Sequence, residues 1–370
     1  MKWELIESDA DLRAALAEVA ECPVVAVDTE FMRTNTFYPQ VALVQLCFGE
    51  KALLIDPLTL SDTSPLAALL TNPAVIKVLH SASEDLEVFS CWLGILPTPL
   101  FDSQRAAALV DIGFGMGYST LVKEICDIDL PKGETRSDWL QRSLTDSQCE
   151  YAAQDVAWLL PVWRHLDHLC RQQGKGDWVL ADGQDAIEAY ISPEMDYAKR
   201  FKTAWKLDSR QLGTLIAVSN WREETARHRN KPRGWIIDDK ACIQLAQYDP
   251  HTLQELKSQV ELDAAALRRN ADALLEVLAA QRAQPESELP DRLPAPLDAV
   301  QRKQLKHLKS QLKGMAVELH ATPEALLQAR DYELLLREAN GEIIVEPRHW
   351  RGWRREAVIA ALRASLAGAP

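Results

Sequence analysis

The sequence lacks the features that define three broad classes of protein. It has no run of the roughly 18 apolar residues that a membrane-spanning helix needs. Its seven cysteines include no Cys-x-x-Cys pair and no histidine at zinc-ligand spacing. No Gly-x-x-x-x-Gly-Lys-[Ser/Thr] loop is present to cradle ATP. We therefore expect a cytoplasmic protein with reduced thiols that contacts no membrane and uses no ATP.

Positive charge is scarce overall, since the net charge is -13, but it is unevenly distributed. Residues 1–175 contain 13 Lys and Arg against 25 Asp and Glu, a balance of -12. Residues 176–290 contain 15 against 19, and residues 291–370 contain 13 against 10, a balance of +3. This polarity suits an acidic, metal-dependent half joined to a tail that binds a phosphate backbone.

Two carboxylates stand out in the run from Pro23 to Phe31. Its apolar, β-branched residues predict a buried strand that ends at Asp28, and the period of two turns Asp28 and Glu30 the same way. Carboxylates roughly 6 to 7 Å apart at their backbones repel each other unless a cation lies between them. Oxygen ligands favour Mg²⁺ or Mn²⁺. The alternative is a strand that merely ends in acids at the surface.

The length of 370 residues favours two or three domains. We predict a mixed sheet with flanking helices in the first half, an α/β fold, followed by two helical bundles. The predicted strands end at Asp28 and Asp102 or span 41–48, 52–56 and 76–80, and the predicted helices span 9–20, 65–71, 83–93, 103–110, 119–126 and 146–172. Residues 175–199 indicate a linker or a packed connector, and helices follow over 207–228, 239–246, 250–259, 263–282, 298–320, 323–338 and 353–366.

Asp85 lies in the first turn of a helix that directly follows a predicted core strand. Open sheets place functional groups there, beside the carboxyl ends of their strands. Alone, Asp85 could simply interact with the helix dipole, and Glu84 is a neighbouring competitor for the functional role.

Tyr151 and Asp155 lie four residues apart, so a helix places them on one face, about 5 to 6 Å apart at Cβ. Burying both on the apolar side of a helix is costly without partners. The alternative is a contact between the two side chains near the surface.

Taken together, these segments resemble the DEDD exonuclease superfamily in its tyrosine-bearing branch, in which Asp28, Glu30, Asp85, Tyr151 and Asp155 match the family positions. Further segments are similar to the ribonuclease D family: Asp28-Thr29-Glu30-Phe31, Thr36-Phe37-Tyr38-Pro39, Gln45-Leu46, Ser83-Glu84-Asp85-Leu86 and Ser137-Asp138-Trp139. Trp221-Arg222-Glu223 and Asn230-Lys231-Pro232-Arg233 resemble the helicase and RNase D C-terminal (HRDC) domain, and Gly352-Trp353-Arg354 closes the chain as in the family.

The resemblance implies a ribonuclease H-like fold and a pair of divalent ions, Mg²⁺ or Mn²⁺. Asp28 would bridge both ions, Glu30 and Asp155 would complete the ion that activates water, and Asp85 would hold the second ion directly or through water. Tyr151 would orient or help deprotonate the attacking water, and we favour the positioning role because an ordinary pKa near 10 makes the hydroxyl a poor base.

The predicted contacts with substrate are of three kinds. Phe37 or Tyr38 could stack on the terminal base, Gln45 could hydrogen-bond near the 3′ end, and Lys132 or Arg136 could contact phosphate, although each could equally be structural. His80 is better explained as a hydrogen-bonded core histidine. In the tail, lysines 303, 306, 309 and 313 and arginines 348, 351, 354 and 355 suit RNA, or are simply solvated.

The predicted domains are a 3′–5′ exonuclease domain over 1–175, a connector over 176–204, a first HRDC domain over 205–285 and a second HRDC-like domain over 292–370. The resemblance predicts a monomeric exoribonuclease that trims tRNA precursors and other small RNAs to release nucleoside 5′-monophosphates. A DNA exonuclease and a catalytically dead RNA-binding scaffold remain alternatives, because no pattern distinguishes the sugar.

Overall fold

The computed structural model describes residues 2–19, 22–131, 133–134, 137–192 and 200–367. The chain forms two compact units: the first comprises Met1–Met32, Gln40–Pro193 and Leu297–Pro370, and the second comprises Arg33–Pro39 and Glu194–Pro296. The C-terminal helices thus belong to the same unit as the N-terminal half, and the domain limits drawn from the sequence stay predictions. None of the described helices is long and apolar enough to cross a membrane.

A six-stranded mixed sheet forms the centre of the first unit, in the order β1-β4-β3-β2-β5-β6. Strand β3 is antiparallel to β2 and β4, and the remaining neighbours are parallel. The predicted mixed sheet is confirmed. Its strands are β1 Lys2–Ile6, β2 Val24–Met32, β3 Gln40–Cys47, β4 Lys51–Ile55, β5 Ile76–Leu79 and β6 Leu100–Asp102.

Eight helices cover the two faces of this sheet in the described part of the N-terminal half. They are α1 Asp9–Val19, α2 Ser64–Thr71, α3 Ser83–Leu93, α4 Ser103–Leu109, α5 Tyr118–Cys126, α6 Asp146–Ala157, α7 Leu159–Gln172 and α8 Gly176–Ile191. Val25 and Val27 of β2 pack with α1, α2 and α3, whereas Ala26 packs with α4, α5, α6 and α7. The alternation of β2 therefore decides which helices its later residues face.

The structure corrects several predictions about this half. The predicted helix over 146–172 is divided at Trp158, because Pro161 lacks an amide hydrogen and its ring clashes with the carbonyl four residues earlier. The start of the segment predicted to be a linker or a packed connector forms the helix α8, so it is packed rather than extended. Its Gly183 is a packing residue, since a Cβ there would lie 2.1 Å from the carbonyl oxygen of Leu100. Strand β1 was also missed, and β2 continues past Asp28 to Met32.

The second unit is a helical bundle, as predicted for this region. Its helices are α9 Ser209–His228, α10 Arg233–Ile236, α11 Asp239–Tyr248, α12 Leu253–Gln259 and α13 Ala264–Arg282. Asp208 and Gln211 form a capping box that starts α9. Leu215, Leu245, Leu256 and Leu274 are fully buried in its core.

The C-terminal helices of the first unit surround the fully buried Trp350, whose indole nitrogen donates a 3.0 Å hydrogen bond to Asp331. The helices are α14 Ala299–Glu318, α15 Pro323–Leu326, α16 Ala329–Ala339 and α17 Ala360–Ala367, with a π-helical turn over Arg355–Ile359. The predicted helix over 323–338 is therefore interrupted after Leu326.

These helices are fastened to α8 by a buried ion pair. Asp182 accepts two hydrogen bonds from Arg354, of 2.6 and 2.7 Å, and one of 2.9 Å from Arg105. Next to it the rings of Trp178 and Trp353 stack with centroids 4.1 Å apart. The last helices of the chain therefore brace the half that contains the sheet.

Candidate active site

Asp28 and Glu30 project from β2 on the face of the sheet that α6 covers. The period of two places them on the same side as Ala26, which shares a core with Ala152 and Ala153 of α6. Because β2 is paired with β3 on one side and β5 on the other, the strand is held firmly within the sheet. The common direction predicted for the two carboxylates is confirmed.

Helix α6 supplies Tyr151 and Asp155 to the same place. The helix begins with a capping box, in which the Thr145 hydroxyl accepts from the Gln148 amide and the Gln148 side chain accepts from the Thr145 amide. The buried alanines on its inner face let α6 approach the sheet closely. Tyr151 and Asp155 follow on one face, as the spacing of four predicted.

Three carboxylates meet where β2 and α6 face each other. Asp28, Glu30 and Asp155 each offer an oxygen, and these oxygens all lie within 4.8 Å of one another. An all-oxygen set of this kind suits a hard divalent cation such as Mg²⁺ or Mn²⁺.

Asp85 approaches the site from the first turn of α3. Its side chain is only 7% exposed and accepts a 2.5 Å hydrogen bond from the Thr29 hydroxyl. Its charge raises the pKa values of both Asp28 and Glu30. Glu84 is exposed, so Asp85 is the acid of this turn that belongs to the site.

The four acids all have raised pKa values, and burial is the largest cause each time. Repulsion from the other three carboxylates further raises the pKa of Asp28 well above its ordinary range. The pKa of Glu30 rises to about 9, and those of Asp85 and Asp155 rise to about 7. The large charge contributions at Asp28 and Glu30 come from carboxylates, so positive charge is what the site needs.

Gln45 is an orphaned polar group beside these acids. It pairs directly with Asp28 across β2 and β3, which puts the two side chains on one face. The side chain is fully buried, and neither its amide nitrogen nor its oxygen has a hydrogen-bond partner among the described residues. Buried amides are normally paired, so Gln45 fits a site that binds a further polar group.

Tyr151 is held in its protonated form. Burial is the main cause that raises the pKa of its hydroxyl above the ordinary value, and the charges of Asp155, Glu30 and Asp28 raise it further. A hydrogen bond also joins the hydroxyl to Asp155. A protonated phenol can orient water but cannot accept its proton.

Tyr118 is a neighbour of the site that the sequence analysis missed. Its hydroxyl donates a 3.1 Å hydrogen bond to the Gln154 carbonyl. Burial and the charges of Asp155 and Asp28 raise its pKa well above the ordinary range. The only local signal was a tyrosine at the start of a helix after a glycine-rich loop, which does not distinguish this position from others.

Phe37 and Tyr38 belong to the second unit, with the bundle. The Phe37 ring is 7% exposed, and the guanidinium groups of Arg227 and Arg233 lie over it at 4.8 and 4.7 Å. Stacking of Phe37 on a base would therefore require the ring to leave this position. Tyr38 is more accessible.

The remaining predicted contacts have separate outcomes. Lys132 and Arg136 lie outside the described residues. His80 is hydrogen-bonded through both ring nitrogens, to the Ser103 hydroxyl at 2.9 Å and the Met116 carbonyl at 3.0 Å. The prediction of a satisfied core histidine is confirmed.

Two family models match this chain, one in each of the two regions whose motifs the sequence analysis described. A family model described as 3′-5′ exonuclease matches residues 3–170, and a model described as HRDC domain matches residues 211–278. The first covers the sheet, α6 and all four acids, and the second covers most of the bundle in the second unit.

Individual relatives match along the whole chain. A protein named Ribonuclease D from Pseudomonas paraeruginosa is 42% identical over 373 residues, covering 100% of this chain and 98% of the relative. Ribonuclease D from Escherichia coli is 35% identical over 374 residues, covering 98% of each chain. The crystal structure of Escherichia coli RNase D, described as an exoribonuclease involved in structured RNA processing, matches with a TM-score of 0.90 at 34% identity, covering 100% of both chains.

Proposed function

Because this chain belongs to the ribonuclease D family and is accordingly a 3′–5′ exoribonuclease, we propose that its four clustered acids bind two divalent metal ions. The observation that carries this proposal is the group of three carboxylates within 4.8 Å, with a fourth acid close enough to raise the pKa values of Asp28 and Glu30. Bound Mg²⁺ or Mn²⁺ ions would generate a nucleophile from water at neutral pH and neutralise the leaving oxyanion.

Asp28 is the residue best placed to be shared between two ions. The charges of all three other acids raise the pKa of Asp28, whereas the pKa of Glu30 is raised mainly by the charges of Asp155 and Asp85. We assign Glu30 and Asp155 to one ion, because their oxygens cluster with those of Asp28. We assign Asp85 to the other ion, and its hydrogen bond from Thr29 fixes the carboxyl.

Tyr151 and Gln45 have positioning roles in this proposal. The Tyr151 hydroxyl keeps its proton and orients the attacking water beside Asp155. Gln45 directs its unpaired amide toward the 3′ end of the substrate. Phe37, Tyr38, Lys132 and Arg136 remain predicted substrate contacts, and only Tyr38 is both described and accessible for this role.

We propose 3′-extended tRNA precursors and other small RNAs as the natural substrates. The membership of the ribonuclease D family supports this, and so does the cationic surface of α14 in an otherwise acidic chain. A monomeric state and a cytoplasmic location are further expectations. Light scattering of the purified chain tests the first, and fractionation of cells that express it tests the second.

The direct test uses 5′-labelled single-stranded RNA and DNA with Mg²⁺, Mn²⁺ or chelator. Stepwise shortening of RNA that needs metal supports the proposal, and Asp28→Asn and Asp85→Asn should abolish it. Glu84→Gln is the matched control for the second variant, because Glu84 shares the turn but is exposed.

Other outcomes identify the alternatives. Preferential shortening of DNA would favour a DNA exonuclease, and tight RNA binding without any shortening would favour a dead scaffold. Full activity of Asp85→Asn would remove Asp85 from the metal site.

A further inference from the structure

Strand β3 contains an extra residue next to the partner of Glu30. Glu30 pairs with Leu43, and the next residue of β2 pairs with Val41, so Ala42 has no partner on β2. Ala42 and Leu43 accordingly both pack in the core that contains the buried alanines of α6, where a regular strand would alternate between faces. Bulges of this kind are common beside active sites, because they change the direction of the side chains next to them. The direction of Glu30 therefore depends on how firmly this bulge is held.

The guanidinium group of Arg142 holds the bulge from the loop 137–144, which leads into α6. Its Nη2 donates a 2.6 Å hydrogen bond to the Ala42 carbonyl. Ala42 also lies outside the register that pairs β3 with β4, which spans Val44 to Cys47. Arg142 thus fastens a residue that the neighbouring strands leave out of their pairing.

All five N–H donors of Arg142 are used when the bond to Ala42 is counted. Nε and Nη2 donate to the two carboxylate oxygens of Asp56 at 2.5 and 2.7 Å. Nη1 donates to the carbonyls of Trp139 and Gln141, at 2.8 Å each. Asp56 follows β4 and is fully buried, so its two bonds fix the plane of the guanidinium group and aim the remaining donors. A lysine ammonium cannot reproduce this planar arrangement.

The same guanidinium group fixes the part of the loop that packs on Tyr151. Trp139, whose carbonyl accepts from Arg142, is 2% exposed, and its ring centroid lies 6.0 Å from that of Tyr151. The charge of Arg142 is not among the main contributions to the pKa of any of the four acids. Arg142 therefore acts on the site through the position of its neighbours and not through its charge.

We propose that Arg142 is a positioning residue for hydrolysis, which directs Glu30 through the bulge at Ala42 and Tyr151 through Trp139. This inference rests on the proposed function and deepens it, because it assigns a role to a residue outside the metal-binding acids. Without the guanidinium group the bulge and the loop shift, so that metal binding weakens and the attacking water is misplaced. Residues that hold metal ligands in place typically contribute about 10- to 100-fold to metal affinity or activity.

The test compares Arg142→Lys with the native chain and with a matched control, Arg105→Lys. Arg105 also donates to a buried aspartate of the first unit, at 2.9 Å, but this aspartate, Asp182, lies on α8 and not beside the bulge. A double variant, Arg142→Gln with Asp56→Asn, removes both charges of the pair together, so no buried charge is left alone. Each variant is studied below the temperature at which its thermal unfolding begins.

Three quantities are measured. Hydrogen exchange in chelator follows peptides from β3 and from the loop 137–144, and calorimetry gives the Kd and the number of sites for Mn²⁺ without RNA. Single-turnover hydrolysis of a 5′-labelled 12-nucleotide RNA at saturating Mn²⁺ gives the maximal rate and the RNA concentration at half that rate.

We expect Arg142→Lys to speed exchange in both peptides, to raise the Kd for Mn²⁺ about tenfold and to lower the maximal rate about tenfold. The RNA concentration at half the maximal rate should stay within about twofold, because the loss concerns the metal site and not the binding of the strand. The double variant should behave in the same way as Arg142→Lys, and Arg105→Lys should behave as the native chain.

Unchanged exchange in β3 together with an unchanged Kd for Mn²⁺ would overturn the proposal, and so would an equal loss in Arg105→Lys. Fewer Mn²⁺ sites with the same Kd would show that Arg142 only stabilises the fold, which would also overturn it. Failure of the proposed function is distinguishable, because the native chain itself would then neither bind Mn²⁺ nor shorten RNA, and that result would overturn both.

Discussion

Replacing Glu30 by Gln should stabilise the metal-free protein at pH 8 while it weakens metal binding. Glu30 is half-buried beside Asp155 and Asp28, and in the absence of metal nothing among the main charge contributions compensates its negative charge. A glutamine of the same shape keeps the packing but removes the need to retain a proton.

The direction of this change in stability follows from the pKa of Glu30 in the unfolded chain and in the folded protein. The ordinary pKa of the carboxyl is 4.5, and burial and the neighbouring acids raise it to about 9 in the folded protein. Between these values the folded protein holds a proton that the unfolded chain releases, so the free energy of unfolding falls as the pH rises. At pH 8 this cost is up to about 5 kcal/mol, from 1.36 kcal/mol per pH unit. Water reaches a half-buried group, so we expect a gain of about 2 to 4 kcal/mol in Glu30→Gln.

The assay is hydrogen exchange read by mass spectrometry on peptides from β2, β3 and α6, in chelator, at pH 5 and pH 8. The opening free energy of these segments should rise in Glu30→Gln at pH 8 and change by less than about 1 kcal/mol at pH 5. Adding Mg²⁺ should stabilise the native chain and have a much smaller effect on the variant.

Glu84→Gln serves as the control, because it removes an exposed acid from the neighbouring turn and should leave both pH values unchanged. If the opening free energy rose equally at pH 5 and pH 8 in Glu30→Gln, or did not rise at pH 8, the result would refute the idea that repulsion between the carboxylates destabilises the metal-free site.

The remaining predictions concern single parts of the mechanism and of the fold. Tyr151→Phe should slow single-turnover hydrolysis while Mg²⁺ binding, measured by calorimetry, stays nearly intact; an unchanged rate would remove Tyr151 from the mechanism. Arg354→Met should lower the stability of the first unit by about 3 to 5 kcal/mol, since it leaves Asp182 buried with only part of its compensation, and thermal unfolding measures this. The double variant with Asp182→Asn should recover much of that loss, and a further loss would contradict the reading. Changing the exposed Lys306 and Lys309 together to Gln should weaken binding of a 3′-extended tRNA and flatten its salt dependence, and should leave a tetranucleotide unaffected. Equal weakening for both RNAs would argue against an outlying phosphate contact.

The parts of the site that could be predicted from sequence are those fixed by local periodicity. The period of two along β2 determines that Asp28 and Glu30 share a face, whether the strand ends at Asp28 or, as found, at Met32. The spacing of four on α6 does the same for Tyr151 and Asp155. Whether these two pairs lie next to each other in the folded protein depends on the tertiary structure. Only the resemblance to a family predicted that they do.

The sequence leaves alternatives open where distant packing decides between them. Gly183 is typical of a linker in sequence, yet it lies inside α8 because the backbone at Leu100 leaves no room for a Cβ. Phe37 is typical of a base-stacking residue, yet its ring is covered by Arg227 and Arg233, which lie almost 200 residues later in the chain. Neither neighbour can be inferred from the residues beside Gly183 or Phe37.

A comparison between Asp182 and Asp28 explains why the acids of the site can be recognised without any family resemblance. Both are buried, and burial alone would raise the pKa of either carboxyl. At Asp182 the guanidinium groups of Arg354 and Arg105 outweigh burial and lower the pKa, so the chain itself neutralises that charge. At Asp28 the neighbouring charges are carboxylates and raise the pKa further. A fold that tolerates such repulsion leaves room for an external cation, so the raised pKa of Asp28 supports its proposed role as a metal ligand, whereas the lowered pKa of Asp182 fits a structural ion pair.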